Sequence, residues 1–292
     1  MSTLERYLTA HCRQELGVPI TQIQPVSGGD INQAFRLQTS GTSFFVKYQK
    51  SPQAFDMLRT EAIALQVLAK AGVIRVPKVI TWASLEQNDA MLLMEYISPG
   101  HATSDQMRTF GHQLARLHRT SRANYGWQED NYIGTLLQSN RSHATAAAFL
   151  QTERLQPQWE MAREQGFFST RDERAFVHLL QTLPSIIPEE QPALIHGDLW
   201  GGNYLIDQDG CAVLIDPASS YGLREMDIAM SRLFGHFGSA FYAGYNEEWP
   251  LPHGYAEREP IHQLYYLLAH VNLFGQSYTS SVQRILQPYA KL

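Results

Sequence analysis

A chain of 292 residues has the length of one large domain or of two lobes. Its 44% apolar content is enough to bury a core, which excludes global disorder. With 23 Lys and Arg against 28 Asp and Glu, the net charge is -5 and no basic stripe is visible, so a nucleic-acid partner is not expected. Cys12 and Cys211 are too few for a disulfide framework, their spacing fits no metal site, and each reads as a small core residue.

The opening segment predicts a helix, with Ser2 and Glu5 as a capping box, Leu4, Leu8, Cys12 and Leu16 on one face, and Gly17 at its end. It carries Glu5 and Arg6 and no apolar run of the kind a signal peptide has. Residues 32–39 and 42–50 read as two strands joined at Ser40-Gly41, with Phe44, Val46 and Tyr48 on one face and Phe45 and Lys47 on the other. Ser51-Pro52 opens a helix whose apolar stripe is Phe55, Leu58, Ala62, Leu65 and Leu68, stopped by Gly72. Residues 76–82 and 90–97 predict two further strands. Ser98-Pro99-Gly100 is the clearest breaker, and a lobe boundary placed there divides residues 1–97 from 98–292.

Beyond the breaker the period is helical. Met107, Phe110, Leu114 and Leu117 mark one helix, and stretches near 143–165 and 171–183 predict two more. Residues 193–196, 204–207 and 212–216 are short strand-like pieces, the last two joined by Asp209-Gly210. Helices are expected again over 223–237 and 259–288; His262, His270, Asn272 and Gln276 interrupt the latter, so it is not a membrane span. The expected architecture is an α+β, two-lobed fold: a small β-rich N-lobe and a larger helical C-lobe. A cytoplasmic protein with no membrane partner is expected.

The chemistry concentrates in Ile195-His196-Gly197-Asp198-Leu199-Trp200-Gly201-Gly202-Asn203. An acid followed five residues later by an amide, between apolar strands, is the catalytic-loop pattern of kinase-like phosphotransferases. Asp198 would accept the proton of an attacking hydroxyl, and Asn203 would offer a neutral oxygen to Mg²⁺ beside the phosphates. Alone, the same residues also read as a surface turn. Eighteen residues after Asp198, Asp216 ends an apolar strand before Pro217, where a carboxylate can take a second metal position. Lys47 on its strand and Glu61 on the stripe of the next helix are natural partners, because a charge inside such a stripe is costly unless paired; the pair would set the lysine against ATP phosphates. Ser27, Gly28 and Gly29 could lay N–H groups over phosphates or form an ordinary turn. Glu95, Tyr96 and Ile97 precede the breaker and are expected to meet adenine through their backbone. His196 reads as a prop for its loop, Asp227 as a structural carboxylate receiving N–H bonds from that loop, and Trp200 as a flat face for a sugar or amine. Trp127 reads as packing.

These residues in this order resemble the fructosamine/ketosamine kinase family, relatives of aminoglycoside phosphotransferases within the protein-kinase-like fold. The resemblance runs through Gly-Gly-Asp-Ile-Asn at 28–32, Asp-Asn-Tyr-Ile-Gly at 130–134 and Arg-Leu-Gln-Pro-Gln at 154–158. It continues through 196–203, 215–218, 224–230 and the tail at 270–275. It implies ATP-dependent phosphorylation of the 3-hydroxyl of fructosamines or ribulosamines, with protein or amine deglycation as the role and a ketosamine or glycated amine as the partner. Carried over residue by residue, it implies Asp198 as proton acceptor, Asn203 and Asp216 as Mg²⁺ ligands, Lys47 with Glu61 on the ATP phosphates, Glu95 to Ile97 as the adenine hinge and Trp200 as a substrate platform. Some relatives carry a cysteine in the glycine loop that links dimers; Ser27 to Asn32 has none, so that regulation is not carried over, and a monomer is expected. Leu223 stands where relatives often have histidine. An aminoglycoside-like or choline-like acceptor, and a nucleotide-binding scaffold without turnover, are the competing readings.

Overall fold

The computed structural model describes residues 3–26, 33–85, 88–235 and 237–291. Helix α1 (Thr3–Leu16) turns Leu8 and Cys12 inward; the expected Ser2 cap lies outside the described residues. Strands β1 (Gln22–Val26), β2 (Gln33–Gln38) and β3 (Ser43–Lys50) follow, then helix α2 (Ala54–Ala71), and β4 (Val79–Ser84) and β5 (Asp89–Glu95). Together the strands form one antiparallel sheet in the order β1-β2-β3-β5-β4. Its alternation separates two faces. Phe35, Leu37, Val46, Tyr48, Met91 and Leu93 pack with Leu8 and Cys12 on one, while Lys47 faces the other way, toward α2. The glycine segment expected at Ser27, Gly28 and Gly29, through Asn32, lies outside the described residues.

Two local expectations change in α2. Ser51 does not cap it: the Ser51 carbonyl accepts the Ala54 N–H in a preceding turn, and Gln53 occupies the cap position. Phe55 is 37% exposed, so the buried stripe runs through Ala54, Leu58, Ala62, Leu65 and Leu68 instead. Gly72 ends the helix in the left-handed region, as a residue without Cβ can at little cost.

The second half begins with α3 (Ser104–His118), started by a Thr103/Gln106 capping box, followed by the short pair β6 (Asn131–Ile133) and β7 (Leu136–Gln138). The stretch read as one helix near 143–165 is α4 (Ala146–Phe149), a π-helical turn (Leu150–Leu155) and α5 (Gln156–Glu164). Helix α6 (Thr170–Ile186) then leads to β8 (Ala193–Ile195), β9 (Tyr204–Ile206), β10 (Ala212–Leu214) and β11 (Ser220–Gly222). Last come α7 (Arg224–Leu233), α8 (Ser239–Glu248), α9 (Tyr255–Phe274) and α10 (Thr279–Leu286). Leu179, Leu183, Leu264, Leu268 and Val282 share one core with Trp159 and Phe176, whose rings stack at 4.3 Å. Leu223 is buried in the same core and stands at the N-cap of α7.

By contacts the chain divides into Met1–Ala102 with Leu205–Asp216, and Thr103–Tyr204 with Pro217–Leu292. The first unit thus runs past the expected boundary at 97 and takes in a later hairpin. Local bonding explains this. Gly100 donates to the Ile206 carbonyl at 2.7 Å, Leu214 donates to the Arg75 carbonyl at 2.9 Å, and Arg75 Nη1 reaches Asp207 at 2.6 Å. Gly100 has to be glycine, since a Cβ there would lie 2.1 Å from the Asp207 carbonyl oxygen. Cys211, read from sequence as a core residue, is exposed beside the Asp209-Gly210 turn, with its N–H on Asp207 at 2.9 Å. Cys12 is buried.

Candidate active site

In the first unit, β3 carries Lys47 at a position whose neighbours Val46 and Tyr48 enter the core on the opposite face. Lys47 is 6% exposed, and a buried ammonium needs counter-charge. Its Nζ lies 2.8 Å from Glu61 Oε1 and 2.5 Å from Asp216 Oδ1. Burial alone would lower its pKa, but the two carboxylates outweigh that and raise it, so the lysine stays charged. Burial pushes the Glu61 carboxyl up to about 7, with Lys47 opposing and Asp216 adding to the rise. Asp216, 39% exposed, sits two residues past β10 at φ +56. That left-handed conformation is disfavoured for a non-glycine residue and again for one preceding proline. Such strain, of order 1–3 kcal/mol, persists where surroundings over-determine it.

The expected hinge divides its tasks. The Glu95 N–H is already used, donating to the Lys78 carbonyl at 2.9 Å. Its carboxylate takes Arg75 Nη2 at 2.5 Å and the Lys78 N–H at 3.2 Å. Beside the main-chain role expected of it, the Glu95 side chain ties its strand end to Arg75. The Tyr96 ring lies 4.5 Å beneath the Arg36 guanidinium, and Ile97 is buried.

In the second unit, the loop after β8 is held from behind. Asp227, fully buried on α7, accepts the N–H of His196 at 2.7 Å and of Gly197 at 2.9 Å. His118 Nε2 lies 3.1 Å from the same carboxylate, and His118 Nδ1 2.9 Å from Tyr245 Oη. Burial would raise the Asp227 carboxyl; its bonds to His118 and Gly197 outweigh this and hold it below the ordinary range. His196, buried, accepts the Asp198 N–H on Nδ1 at 3.3 Å. Asn203 Nδ2 donates to both the Asp198 carbonyl and its Oδ2, each at 2.9 Å. The amide thus orients the carboxylate and turns its own oxygen elsewhere. Gly197 (φ +85) allows close approach: a Cβ would stand 2.1 Å from the Ala218 carbonyl oxygen. Trp200 is 37% exposed and its indole covers Gly202, where a Cβ would meet ring carbons at 2.4 Å. Trp127 packs on Tyr221 at 5.6 Å.

The structure therefore brings Lys47, Glu61 and Asp216 together in one unit, and His196, Asp198, Asn203 and Asp227 together in the other. Sequence reading missed His118, which sits at the end of an amphipathic helix with nothing local to mark it. Among the described residues no group of three or more His, Cys, Asp or Glu side chains could hold a metal by itself. Also among them, no helix is long and apolar enough to cross a membrane.

The family model for fructosamine kinase matches residues 4–291. The chain belongs to the fructosamine kinase family. A probable ketoamine kinase of Enterococcus faecium is 38% identical to this kinase, covering 92% of this chain and 95% of its own. The chloroplastic protein-ribulosamine 3-kinase of Arabidopsis thaliana is 34% identical over 94% of this chain and 84% of its own. A solved structure of a candidate fructosamine-3-kinase from Thermobifida fusca superposes with a TM-score of 0.88 at 33% identity, covering 98% of this chain and 99% of that one. An aminoglycoside phosphotransferase shares the fold, with a TM-score of 0.66 at 13% identity, 98% of this chain and 99% of that one covered. The family's chemistry is phosphoryl transfer from ATP to a ketosamine hydroxyl, and this member is such a transferase.

Proposed function

We propose that this kinase phosphorylates the 3-hydroxyl of a ketosamine of the fructosamine or ribulosamine type, and that its role is deglycation of amines or proteins in the cytoplasm. The observation that carries the reading is the Asp198 carboxylate, oriented by Asn203 on a loop pinned by Asp227, with the exposed Trp200 face two residues further on. Names of relatives support the acceptor class: a ketoamine kinase and a ribulosamine 3-kinase each cover most of their length here.

In this mechanism the acceptor oxygen forms a bond to the γ-phosphorus as the bond to the β,γ-bridging oxygen breaks and ADP leaves. The hydroxyl proton passes to the Asp198 carboxylate. Lys47, kept cationic by its two carboxylates, holds the α- and β-phosphates, and Glu61 fixes where that ammonium points. Tyr96 and Ile97 offer main-chain groups to adenine. Trp200 offers an apolar face to the sugar C–H groups.

The donor chemistry fits Mg²⁺. Asn203 has committed its amide nitrogen to Asp198, so its neutral oxygen would serve the ion, and Asp216, whose Oδ1 meets Lys47, would offer its other carboxylate oxygen; Mg²⁺ takes such hard oxygens alongside phosphate and water. When bound, the ion would offset charge on the transferring phosphoryl group.

The test is incubation with Mg-ATP and fructosyl- or ribulosyl-lysine, locating the new phosphate by coupled ³¹P and ¹H NMR. Phosphate on carbon 3 supports the assignment, and phosphate on another carbon or no phosphorylated adduct contradicts it.

A further inference from the structure

Two polar stretches, 130–134 and 154–158, have no part in the mechanism above, and the structure brings them together in the second unit. The π-helical turn Leu150–Leu155 inserts one extra residue per turn, so that Glu153 and Arg154, adjacent in sequence, are both buried. Arg154 Nη1 donates to the carbonyls of Ser139 at 2.6 Å and Glu153 at 3.1 Å. Its Nη2 donates to Asn140 Oδ1 at 2.8 Å and Ser220 Oγ at 3.1 Å. The guanidinium also lies 4.4 Å over the Phe149 ring. Among the described residues every hydrogen-bond partner of this cation is neutral.

From Arg154 the bonds spread to one target. Asn140 Nδ2 donates to Asn131 Oδ1 at 2.7 Å, and Asn131 Nδ2 donates to the Ser219 carbonyl at 2.9 Å. Gln138 Nε2 donates to Asn131 Oδ1 at 2.7 Å and to the Ala218 carbonyl at 3.2 Å, and Tyr265 Oη donates to Gln138 Oε1 at 2.5 Å. Residues 218, 219 and 220 are thus each gripped by a side chain of this network. On their other side the same three residues meet the catalytic loop. The Ala218 carbonyl presses on Gly197, Ser219 Oγ donates to the His196 carbonyl at 3.4 Å, and Ser220 pairs with Ile195 at the end of β8.

The Glu153 and Asp130 carboxylates act on this cation only through space, while burial lowers its pKa, and its hydrogen bonds satisfy four acceptors that would otherwise be stranded. What a fully satisfied buried network does supply is one fixed geometry. The geometry points to Arg154 as a positioning residue: through Asn140, Asn131, Gln138 and Ser220 it sets residues 218–220, and through them the His196–Asp198 loop, for phosphoryl transfer. This rests on the function proposed above.

The experiment compares wild type, Arg154→Met, Tyr265→Phe and the double variant, with Mg-ATP and fructosyl-lysine. It reads kcat, both KM values, ATP affinity by calorimetry and Tm. The expected result is a kcat lower by on the order of 10–100-fold in Arg154→Met and by a few-fold in Tyr265→Phe. ATP affinity stays near wild type, Tm falls in Arg154→Met because buried acceptors lose their donor, and the double variant has a kcat no lower than that of Arg154→Met, because both act through one network. An unchanged kcat per folded molecule in the single variants, or a loss that disappears when the assay is run well below Tm, overturns the inference. If Arg154→Met does not fold, Tyr265→Phe, which removes one hydroxyl and keeps the ring, decides alone. Wild-type enzyme that leaves fructosyl-lysine unmodified fails the substrate reading instead, so the two failures are distinct.

Discussion

Lys47 sits between two carboxylates, so the cluster of three carries a local excess of acidic groups. Phosphate oxygens could not enter such a spot without a charged lysine, and the carboxylates keep it charged. Asp198 is placed differently: the Asn203 amide donates to its Oδ2 at 2.9 Å and aims the carboxylate. Two variants should therefore fail in opposite ways. Asp198→Asn should lose about 10²–10⁴-fold in kcat while still binding ATP. Glu61→Gln should raise KM for ATP by about tenfold, the worth of one charge-assisted hydrogen bond, and lower kcat less. Steady-state kinetics on both variants with ATP titration checks the split; a near-normal kcat in Asp198→Asn rejects its role. Asp198, Asn203 and Asp216 stand out as candidates in sequence because each sits in a short block with fixed spacing. His118 does not, since its partner Asp227 is 109 positions away and neither neighbourhood mentions the other.

Elements show why some spacings are fixed. The Gly202 position lies under the Trp200 indole, so Gly202→Ala should displace that ring. KM for the ketosamine should rise severalfold with KM for ATP unchanged, and acceptor titration at saturating ATP measures it. Helices α7 and α9 are joined by Glu225, whose Oε1 lies 2.5 Å from Arg258 Nη2 and whose Oε2 lies 2.8 Å from His262 Nε2. Burial alone would raise this carboxyl, but those bonds hold it down at about 2, against an ordinary 4.5. A depressed folded-state pKa adds stability above the unfolded value, and that stability is lost as pH falls from about 4.5 toward 2. Glu225→Gln should thus cost about 3 kcal/mol at neutral pH and progressively less in acid, as urea unfolding at several pH values would show. Elements the sequence hid are the short or irregular ones. Strands β6, β7 and β11 have three residues each and, unlike the equally short β8, β9 and β10, are not unbroken apolar runs, and β1 holds Pro25, tolerated because it is an edge strand. The π-helical turn is invisible to a 3.6-residue period, because its wider turn shifts the phase within a short polar stretch, Gln151 to Arg154, that has no apolar pattern of its own.

At the scale of the chain, the sheet-then-helix order and the breaker near 98–100 were readable from composition and periodicity. The return of Leu205–Asp216 to the first unit was not, because Arg75 binds that segment through partners more than a hundred residues away. The buried polar network around Arg154 escaped for the same reason: its members read singly as turn or helix-surface residues. What carries the functional account is the acceptor, since the ATP-side residues would serve a kinase of any small alcohol. The decisive measurement is a comparison of kcat/KM for fructosyl-lysine, an aminoglycoside and choline under one set of Mg-ATP conditions, with products weighed by mass spectrometry. A gain of one phosphoryl group on the ketosamine, at least 100-fold preferred over the other two, is the predicted result. Equal or better transfer to the aminoglycoside or to choline would contradict it.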